Sequence, residues 1–593
     1  MKAKIIQRKN NLILWANGEE ILPAAYMSYL EQNADYEGFK RAGYRLFCAC
    51  VYMGDCSINE VSNVRPFNDH VWKARGCYDF APVYNSVKSI VGKGEQKAYV
   101  MLRVNLNAPK WWREENPEEL TKLSDGKRYM QSIFSNKWLA DAKLFLDKLC
   151  AYVRGCEFAE NIIAIQVAGM QTEEWLALRT ATGSFDYSAP ALAAYIAWQE
   201  DRQKKTVNAH LPTLEELDGR HEASLVNEEK YRNLTQYLQF FNEGYAGAIK
   251  ALCSHVKEVT RGELLVGVFY GYIGVPCDFG QHAISMLLAD KNIDFFASPF
   301  SYVNQRQGAV DWFFQGVVDS CRLAGKLWFI EADVRTHKTQ PLFETNPSLM
   351  AGEQTVAYFK NPVFAGPKCE KESLWVLLRA FAKVLCSKTA FWWFDMWGGW
   401  YRSIEMMSYL QKMGAWYEKA LAEPMEKSSE LALLFEEDAG RFVSEEYYYQ
   451  AVNEQLIQLG FVGAPHDIYL TKDIEKVEKT QYKAYLYALS KDTKERKNVL
   501  ICDGKRQEKT GCFTAQEISA FLQEAGGHVF SEGNIVYANS RYVSLTATKE
   551  GACKLTMPKA CKLQAFSDGK IYEGKEFIFN LAYNQTELFE VLE

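Results

Sequence analysis

Histidine is scarce in this sequence, and none of it is placed to share a metal. The eight histidines stand at 70, 210, 221, 255, 282, 337, 466 and 528, and no two have the H-x-H or H-x-x-x-H spacing that puts two imidazoles on one ion. A catalytic zinc or two-metal site is therefore not expected, nor is any other cofactor. The G-x-S-x-G elbow of a serine nucleophile is missing. So is the G-x-G-x-x-G turn of a dinucleotide site: Gly92-Lys93-Gly94 comes nearest to a phosphate loop and lacks the rest. The net charge of −6 contains no long block of one sign, which leaves nucleic acid and anionic membranes without an electrostatic footprint. No run approaches the ~18 apolar residues of a membrane helix. The stretch from Met1 to Arg8 has no apolar core of a secretion signal, so a cytoplasmic chain is expected. The 15 cysteines are odd in number and scattered, a pattern of reduced thiols rather than a disulfide framework. The one close pair, Cys48 and Cys50, lies inside an apolar run and reads as core.

What is abundant is aromatic. Of 593 residues, 14% are aromatic, with 15 Trp, 33 Tyr and 34 Phe. Flat rings fill cores, and they also stack on the apolar faces of sugars; composition alone does not separate the two uses. The length implies several domains.

Along the chain, short apolar runs alternate with helical periodicity. A hairpin is predicted over 1–20. Strands are predicted over 21–26, 44–51, 98–107, 162–167, 264–270, 293–298, 326–331 and 389–395. Helices fall between them, the clearest over 137–154, where apolar residues recur every three or four positions. Strands without alternation are buried on both faces, as in a parallel sheet covered by helices. Eight of them in this rhythm predict a (β/α)8 TIM barrel over 21–426. Residues 176–230 are richer in polar groups and read as an insertion over the barrel mouth. A small α/β, flavodoxin-like domain is predicted over 427–533 and a C-terminal antiparallel β-sandwich over 534–593.

In such a barrel the C-terminal ends of the strands carry the chemistry. Strand seven, Lys326-Leu327-Trp328-Phe329-Ile330-Glu331, ends in a carboxylate, and strand four leads into Thr172-Glu173-Glu174-Trp175. Two carboxylates facing each other across a barrel mouth suit retaining glycoside hydrolysis, in which an acid and a nucleophile stand about 5–5.5 Å apart. Asn105, Asn107, Trp112, Trp175, Tyr270, Trp393, Asp395 and Trp397 fall at strand ends, where they could bind hydroxyls or stack on a sugar ring. Strand parity places Phe391, Trp393 and Asp395 on one side of strand eight and Trp392 and Phe394 on the other. Arg335 and His337 follow Glu331 and are candidates for the rim.

With Gln166-Val167 and Thr172-Glu173-Glu174-Trp175 after strand four, Phe329-Ile330-Glu331 at strand seven, a Trp-rich strand eight, and the order barrel, α/β domain, β domain, the chain resembles the clan A glycoside hydrolases, most nearly the family 42 β-galactosidases. The resemblance spans nearly the whole chain through short motifs. It implies a retaining exo-β-glycosidase acting on carbohydrate, with Glu331 as nucleophile and Glu174 as acid/base, and a homo-oligomer, a trimer assembled through the α/β domain. The family has Asn-Glu before an aromatic at strand four; here Glu173 stands where the Asn would be, so Glu173 and Glu174 both remain candidates for the acid/base. Strand two lacks the Arg of many clan members, and Arg103 on strand three is the candidate for the charge that keeps Glu331 ionised. Other specificities (a β-mannoside, an α-L-arabinopyranoside, a charged glycan) and a non-catalytic glycan-binding role are the alternatives.

Overall fold

The computed structural model describes residues 3–92, 97–207, 209–221, 224–477, 482–489, 499–501 and 512–592. Eight parallel strands close into a barrel: Ala24–Met27, Leu46–Tyr52, Tyr99–Asn105, Ile162–Ala168, Leu265–Phe269, Phe295–Pro299, Leu327–Ala332 and Ala390–Phe394. They are called strands one to eight below. Closure is made by strand eight on strand one, with Phe391 opposite Ala24, and by strand three on strand four. Every residue of these strands is buried, as their unbroken apolar runs require when helices cover the outside and side chains fill the inside.

The helix expected over 137–154 runs Asn136–Gly155. Ser135 caps it by accepting from the Trp138 backbone N–H, and Trp138, Ala142, Phe145, Leu146, Leu149 and Val153 form its buried stripe. Cys48 and Cys50 are buried on strand two with free thiols. No described helix is long and apolar enough to cross a membrane.

Three details differ from the sequence reading. The N-terminal hairpin is a three-stranded antiparallel sheet, Ala3–Arg8, Asn11–Ala16 and Glu19–Ile21; its first turn uses Lys9 and Asn10 in the left-handed region (φ 44° and 65°) and lacks the glycine that marks a hairpin. Of the described residues in the stretch 176–230, only Leu176 lines the cavity at the mouth. The stretch carries the helices Ala189–Gln203 and Leu214–Gly219, and both its ends join the unit after the barrel: Arg179 pairs with Glu445 (3.0 Å), and Val226 N–H donates to Phe442 O (2.8 Å).

Among the described residues, that next unit holds a four-stranded parallel sheet in the order His466–Leu470, Leu431–Phe435, Ala484–Leu489, Val499–Ile501. The helix expected over 445–459 is present with a π turn, Tyr449–Glu454, between two α segments. The C-terminal unit is antiparallel, as expected. Its five strands form a single sheet, ordered Ile535–Ala538, Tyr542–Thr546, Thr586–Leu592, Gly551–Ala565, Ile571–Leu581, rather than two hydrogen-bonded layers. One face, with Ile535, Tyr537, Tyr542 and Leu588, joins the barrel's core. The other, with Val543, Leu545, Leu563, Phe577 and Phe589, forms a cluster of its own. A register shift interrupts the pairing of its two longest strands between Thr556 and Cys561.

Candidate active site

Arg103 is the residue from which the site is built. It sits on strand three beside Cys50 of strand two and Gln166 of strand four, inside the barrel and almost without exposure. Its Nη2 donates to Glu331 Oε2 at 2.5 Å, and its Nη1 donates to the Tyr29 hydroxyl at 3.3 Å and lies 3.6 Å from Glu173 Oε2. The rings of Phe269, Trp392 and Phe394 surround the guanidinium at 4.6–5.6 Å. Trp392, opposite Glu331 in the strand register, adds an indole N–H to the same carboxylate oxygen at 3.3 Å.

The two neighbouring glutamates after strand four go to different places. Glu173 is fully buried, accepting from Tyr29 Oη (2.9 Å) and Asn105 Nδ2 (3.5 Å) beneath the site. Glu174 reaches the mouth, where Tyr272 Oη donates to Oε1 at 2.8 Å and Thr172 Oγ1 donates to Oε2. The divergence is made by backbone. Met170, Thr172, Glu173 and Trp175 all have positive φ, between 53° and 69°, a conformation that L residues adopt at a cost. The segment is held by Trp175, whose Nε1 donates to Val167 O (2.9 Å) and whose ring packs on Gly169. Gln281 Nε2 bonds the Glu174 and Trp175 carbonyls from the opposite side.

Burial raises all three carboxyl groups, because removal from water penalises the charged form. Glu174 is pushed up to about 7, first by burial and then by the nearby Glu331 charge, against the bonds from Thr172 and Tyr272. Burial also lifts Glu173 and Glu331 above the usual carboxylate range, and Arg103 opposes both shifts. The guanidinium expected beside Glu331 is there, and it is shared: one positive charge serves two buried carboxyls.

Above these groups opens a cavity of about 530 Å3. Among the described residues, Glu174 and Glu331 are the two carboxylates in its wall and Arg335 is its one cationic residue. Its apolar surface is largely aromatic: Tyr29 stacks on Phe67 (4.6 Å) and meets Phe394 edge-on (4.9 Å), and Tyr302, Tyr358, Phe359 and Phe364 add to it, with Ile58, Val64, Leu176, Val363 and Met396 between them. Of residues 176–230 only Leu176 takes part.

The other candidates read from sequence lie behind this wall. Asn105 Oδ1 accepts from Asn107 N–H (2.8 Å), and Asn107 Oδ1 accepts from Met170 N–H (2.8 Å), so both shape the strand-four loop from below. Trp112 is buried and donates to Asp141 (2.7 Å). Tyr270 turns to Asn242 O (3.4 Å), Trp393 to Tyr44 Oη (2.9 Å), and Trp397 to Gln340 O (2.9 Å). Asp395 caps the turn after strand eight, accepting from Tyr26 Oη and the Gly399 and Trp400 N–H groups. His337 is held by Ser373 and does not line the cavity.

On strand eight the parity was legible and the inward face was the other one: Trp392, Phe394 and Met396 meet the site, while Phe391 and Trp393 pack outward against Tyr417 and Tyr401. Tyr29, Phe67, Tyr272 and Tyr302 were missed because they stand in loops, where no periodicity marks them, and Tyr358 because it lies on a short helix, Glu353–Phe359, in the connection from strand seven to strand eight. Proximity to a strand end was the one available signal, and it would have served for Tyr29 and Tyr272. Among the described residues no group of three His, Cys, Asp or Glu could hold a metal ion.

No protein-family model and no curated protein matches the chain. Solved structures do. A β-galactosidase from Bacillus circulans sp. alkalophilus is similar over 96% of this chain and 98% of its own (TM-score 0.58, 9% identity). A catalytic mutant of a family 42 β-galactosidase from G. stearothermophilus is similar over 96% and 98% (TM-score 0.57, 10% identity). An exo-carrageenase of the same family from Bacteroides ovatus is similar over all of this chain and 85% of its own (TM-score 0.56, 11% identity). At such identities the likeness is one of fold, and the fold is that of the family 42 glycoside hydrolases from end to end.

Proposed function

We propose that the chain is a retaining exo-β-glycosidase, β-galactosidase-like, working by double displacement with Glu331 as nucleophile and Glu174 as acid/base. The observation that carries the reading is the pair of unlike carboxyls in one cavity wall. Glu331 has a guanidinium at 2.5 Å and an indole N–H, which orient it and oppose the effect of burial by favouring its anion. Glu174 has two neutral hydroxyls and a carboxyl pushed up to about 7, which keeps a proton available near neutrality. In the first step Glu331 attacks the anomeric carbon as Glu174 gives its proton to the departing glycosidic oxygen. In the second, Glu174 takes a proton from water, which attacks the same carbon and releases Glu331. Glu173, fully buried beside Arg103, is read as a positioning residue for the pair. The likeness to β-galactosidases and an exo-carrageenase supports the class. Assembly as a trimer through the α/β unit belongs to the same reading.

The test is hydrolysis of a panel of 4-nitrophenyl glycosides by wild type, Glu173→Gln, Glu174→Gln and Glu331→Ala. Glu331→Ala is expected to abolish turnover. Glu174→Gln should slow poor leaving groups most and be rescued on activated glycosides by azide, which needs no general base. Full turnover by Glu331→Ala would end the proposal, and azide rescue of Glu173→Gln in place of Glu174→Gln would exchange the two glutamates.

A further inference from the structure

A second cavity, of about 300 Å3, adjoins the first, and Arg335 and Val363 belong to the walls of both. Its charge is one-sided. Arg306, Arg335 and Lys368 line it against the single carboxylate of Glu372, and one Glu372 oxygen already accepts from the Lys368 backbone N–H (3.0 Å). Behind the two arginines lies Asp333, fully buried. It accepts from Arg306 Nη1 and from Arg335 Nη1 (2.6 Å), so one guanidinium charge of the pair stays uncompensated.

The two guanidinium groups differ in what remains. Arg306 gives its other N–H groups to Ser301 O (3.1 Å) and Phe300 O (2.7 Å). Arg335, only 5% exposed, has no acceptor for Nε or Nη2. Both atoms are buried; they make up the edge with which a guanidinium grips a carboxylate or a sulfate by two parallel bonds, and a turn of the side chain into the cavity brings it to a ligand. On the same wall the Trp312 indole N–H also lacks an acceptor. Arg379 stacks on Trp312 at 4.3 Å, gives Nη1 to Gly308 O and Asn584 Oδ1, and leaves Nε and Nη2 unpaired. The unpaired groups of Trp312, Arg335 and Arg379 are all donors. Buried donors without acceptors are destabilising; Trp312 and Arg335 belong to the cavity wall and Arg379 lies behind it. The cavity is also built across two units: Tyr583 and Asn584 of the C-terminal sheet close it, with Tyr583 Oη accepting from Ala309 N–H (3.1 Å).

We propose that this second cavity binds an anionic substituent, a sulfate ester or a uronate carboxylate, on the saccharide whose glycosidic bond lies between Glu174 and Glu331, so that the substrate is an acidic glycan. The inference rests on the glycosidase reading and narrows its substrate class. Arg335 belongs to the walls of both cavities, so a sugar in the catalytic cavity and an acidic group in the second would share it.

The experiment compares kcat/KM on oligosaccharides of a sulfated galactan, on the same oligosaccharides chemically desulfated, and on galacturonate-containing oligosaccharides, for wild type, Arg335→Gln, Arg335→Lys and Lys368→Gln. Calorimetry with Glu331→Ala measures binding of the same ligands without turnover. Wild type is expected to favour one anionic series over the neutral one at least tenfold, and the favoured series tells sulfate from carboxylate. Arg335→Gln and Lys368→Gln should each lower that ratio several-fold, and Arg335→Lys, which keeps the charge and loses the fork, should restore part of it. If Arg335→Gln does not fold, exposed Lys368 still carries the test. Turnover of neutral and anionic series at equal rates, or a ratio untouched by the variants, overturns the anion site and leaves the glycosidase reading standing. Absence of turnover, together with anion-dependent binding that Arg335→Gln weakens tenfold, does the reverse. Neither turnover nor anion-dependent binding overturns both.

Discussion

At the scale of single residues, the site is governed by how few charges compensate its carboxyls. Glu174 is the most testable of them, because its carboxyl is pushed up to about 7. If its protonated form is the acid of the reaction, kcat/KM on poor leaving groups should fall about tenfold per pH unit above that value. The same shift bears on stability with a definite sign. A carboxyl raised in the folded state leaves the fold at full strength below its unfolded pKa, and stability is lost as pH rises from there through about 7. Glu174→Gln should therefore stabilise the protein at pH 8, by up to about 3 kcal/mol, and change little at pH 4. Urea melts at the two pH values decide it: an equal effect at both would contradict the raised carboxyl. Arg103 makes the complementary case. Removing the one cation shared by Glu331 and Glu173 leaves buried negative charge unpaired, so Arg103→Met should cost about 3–5 kcal/mol. Adding Glu173→Gln should recover part of that loss, and strictly additive losses in the double variant would show that the two residues are not coupled.

The element that matters most is the six-residue turn after strand four. Four of its residues, none of them glycine, hold positive φ, each costing of the order of 1 kcal/mol or more. Trp175 keeps it in place by burying its ring on Gly169 and bonding Val167 O. Trp175→Ala should destabilise the protein by about 3–5 kcal/mol. Because Glu174 is the adjacent residue, kcat should fall at least tenfold with a smaller change in KM. A variant that loses stability and keeps kcat would show that the turn holds Glu174 without Trp175. This turn also marks where sequence reading stopped. Strands one to eight were legible because parallel strands buried on both faces write unbroken apolar runs, and Glu331 was legible because it ends such a run. The same double-sided burial hid which parity faces inward, since Trp392 and Trp393 are alike in composition and differ only in what they meet. Nothing in Met170-Gln171-Thr172-Glu173-Glu174-Trp175 signals left-handed backbone, which is enforced by tertiary contacts. The aromatic rim drawn from Phe67, Tyr302, Tyr358 and Phe364 comes from three separate connections, after strands two, six and seven, that only the closed barrel brings together.

On the scale of the whole molecule, the C-terminal sheet is joined to the barrel by buried charge close to the second cavity. Asp311, in the loop after strand six, accepts from Lys383 Nζ at 2.7 and 2.8 Å and from Tyr537 Oη of the C-terminal sheet at 2.5 Å. Lys383 belongs to the helix Glu370–Ser387, on whose other turns Arg379 reaches Asn584. Burial tends to raise the Asp311 carboxyl, but the Lys383 charge and the two donors outweigh it and hold it below the usual carboxylate range. The stability it contributes is therefore present above the unfolded carboxylate pKa and lost as pH falls through the lower folded value. Lys383→Met strands a carboxylate among apolar neighbours and should cost about 3–5 kcal/mol, whereas Lys383→Met with Asp311→Leu removes both charges and should cost less than the single change. Denaturant melts of the single and double variants measure the coupling directly. If the sheet supports the anion-binding cavity through this junction, Lys383→Met should also lower the preference for acidic over neutral substrates, because Tyr583 and Asn584 would no longer be held against Gly308 and Ala309. A double variant less stable than Lys383→Met alone would show that the pair holds the units together through attraction greater than its desolvation cost, which is the opposite balance from the one expected of a buried pair.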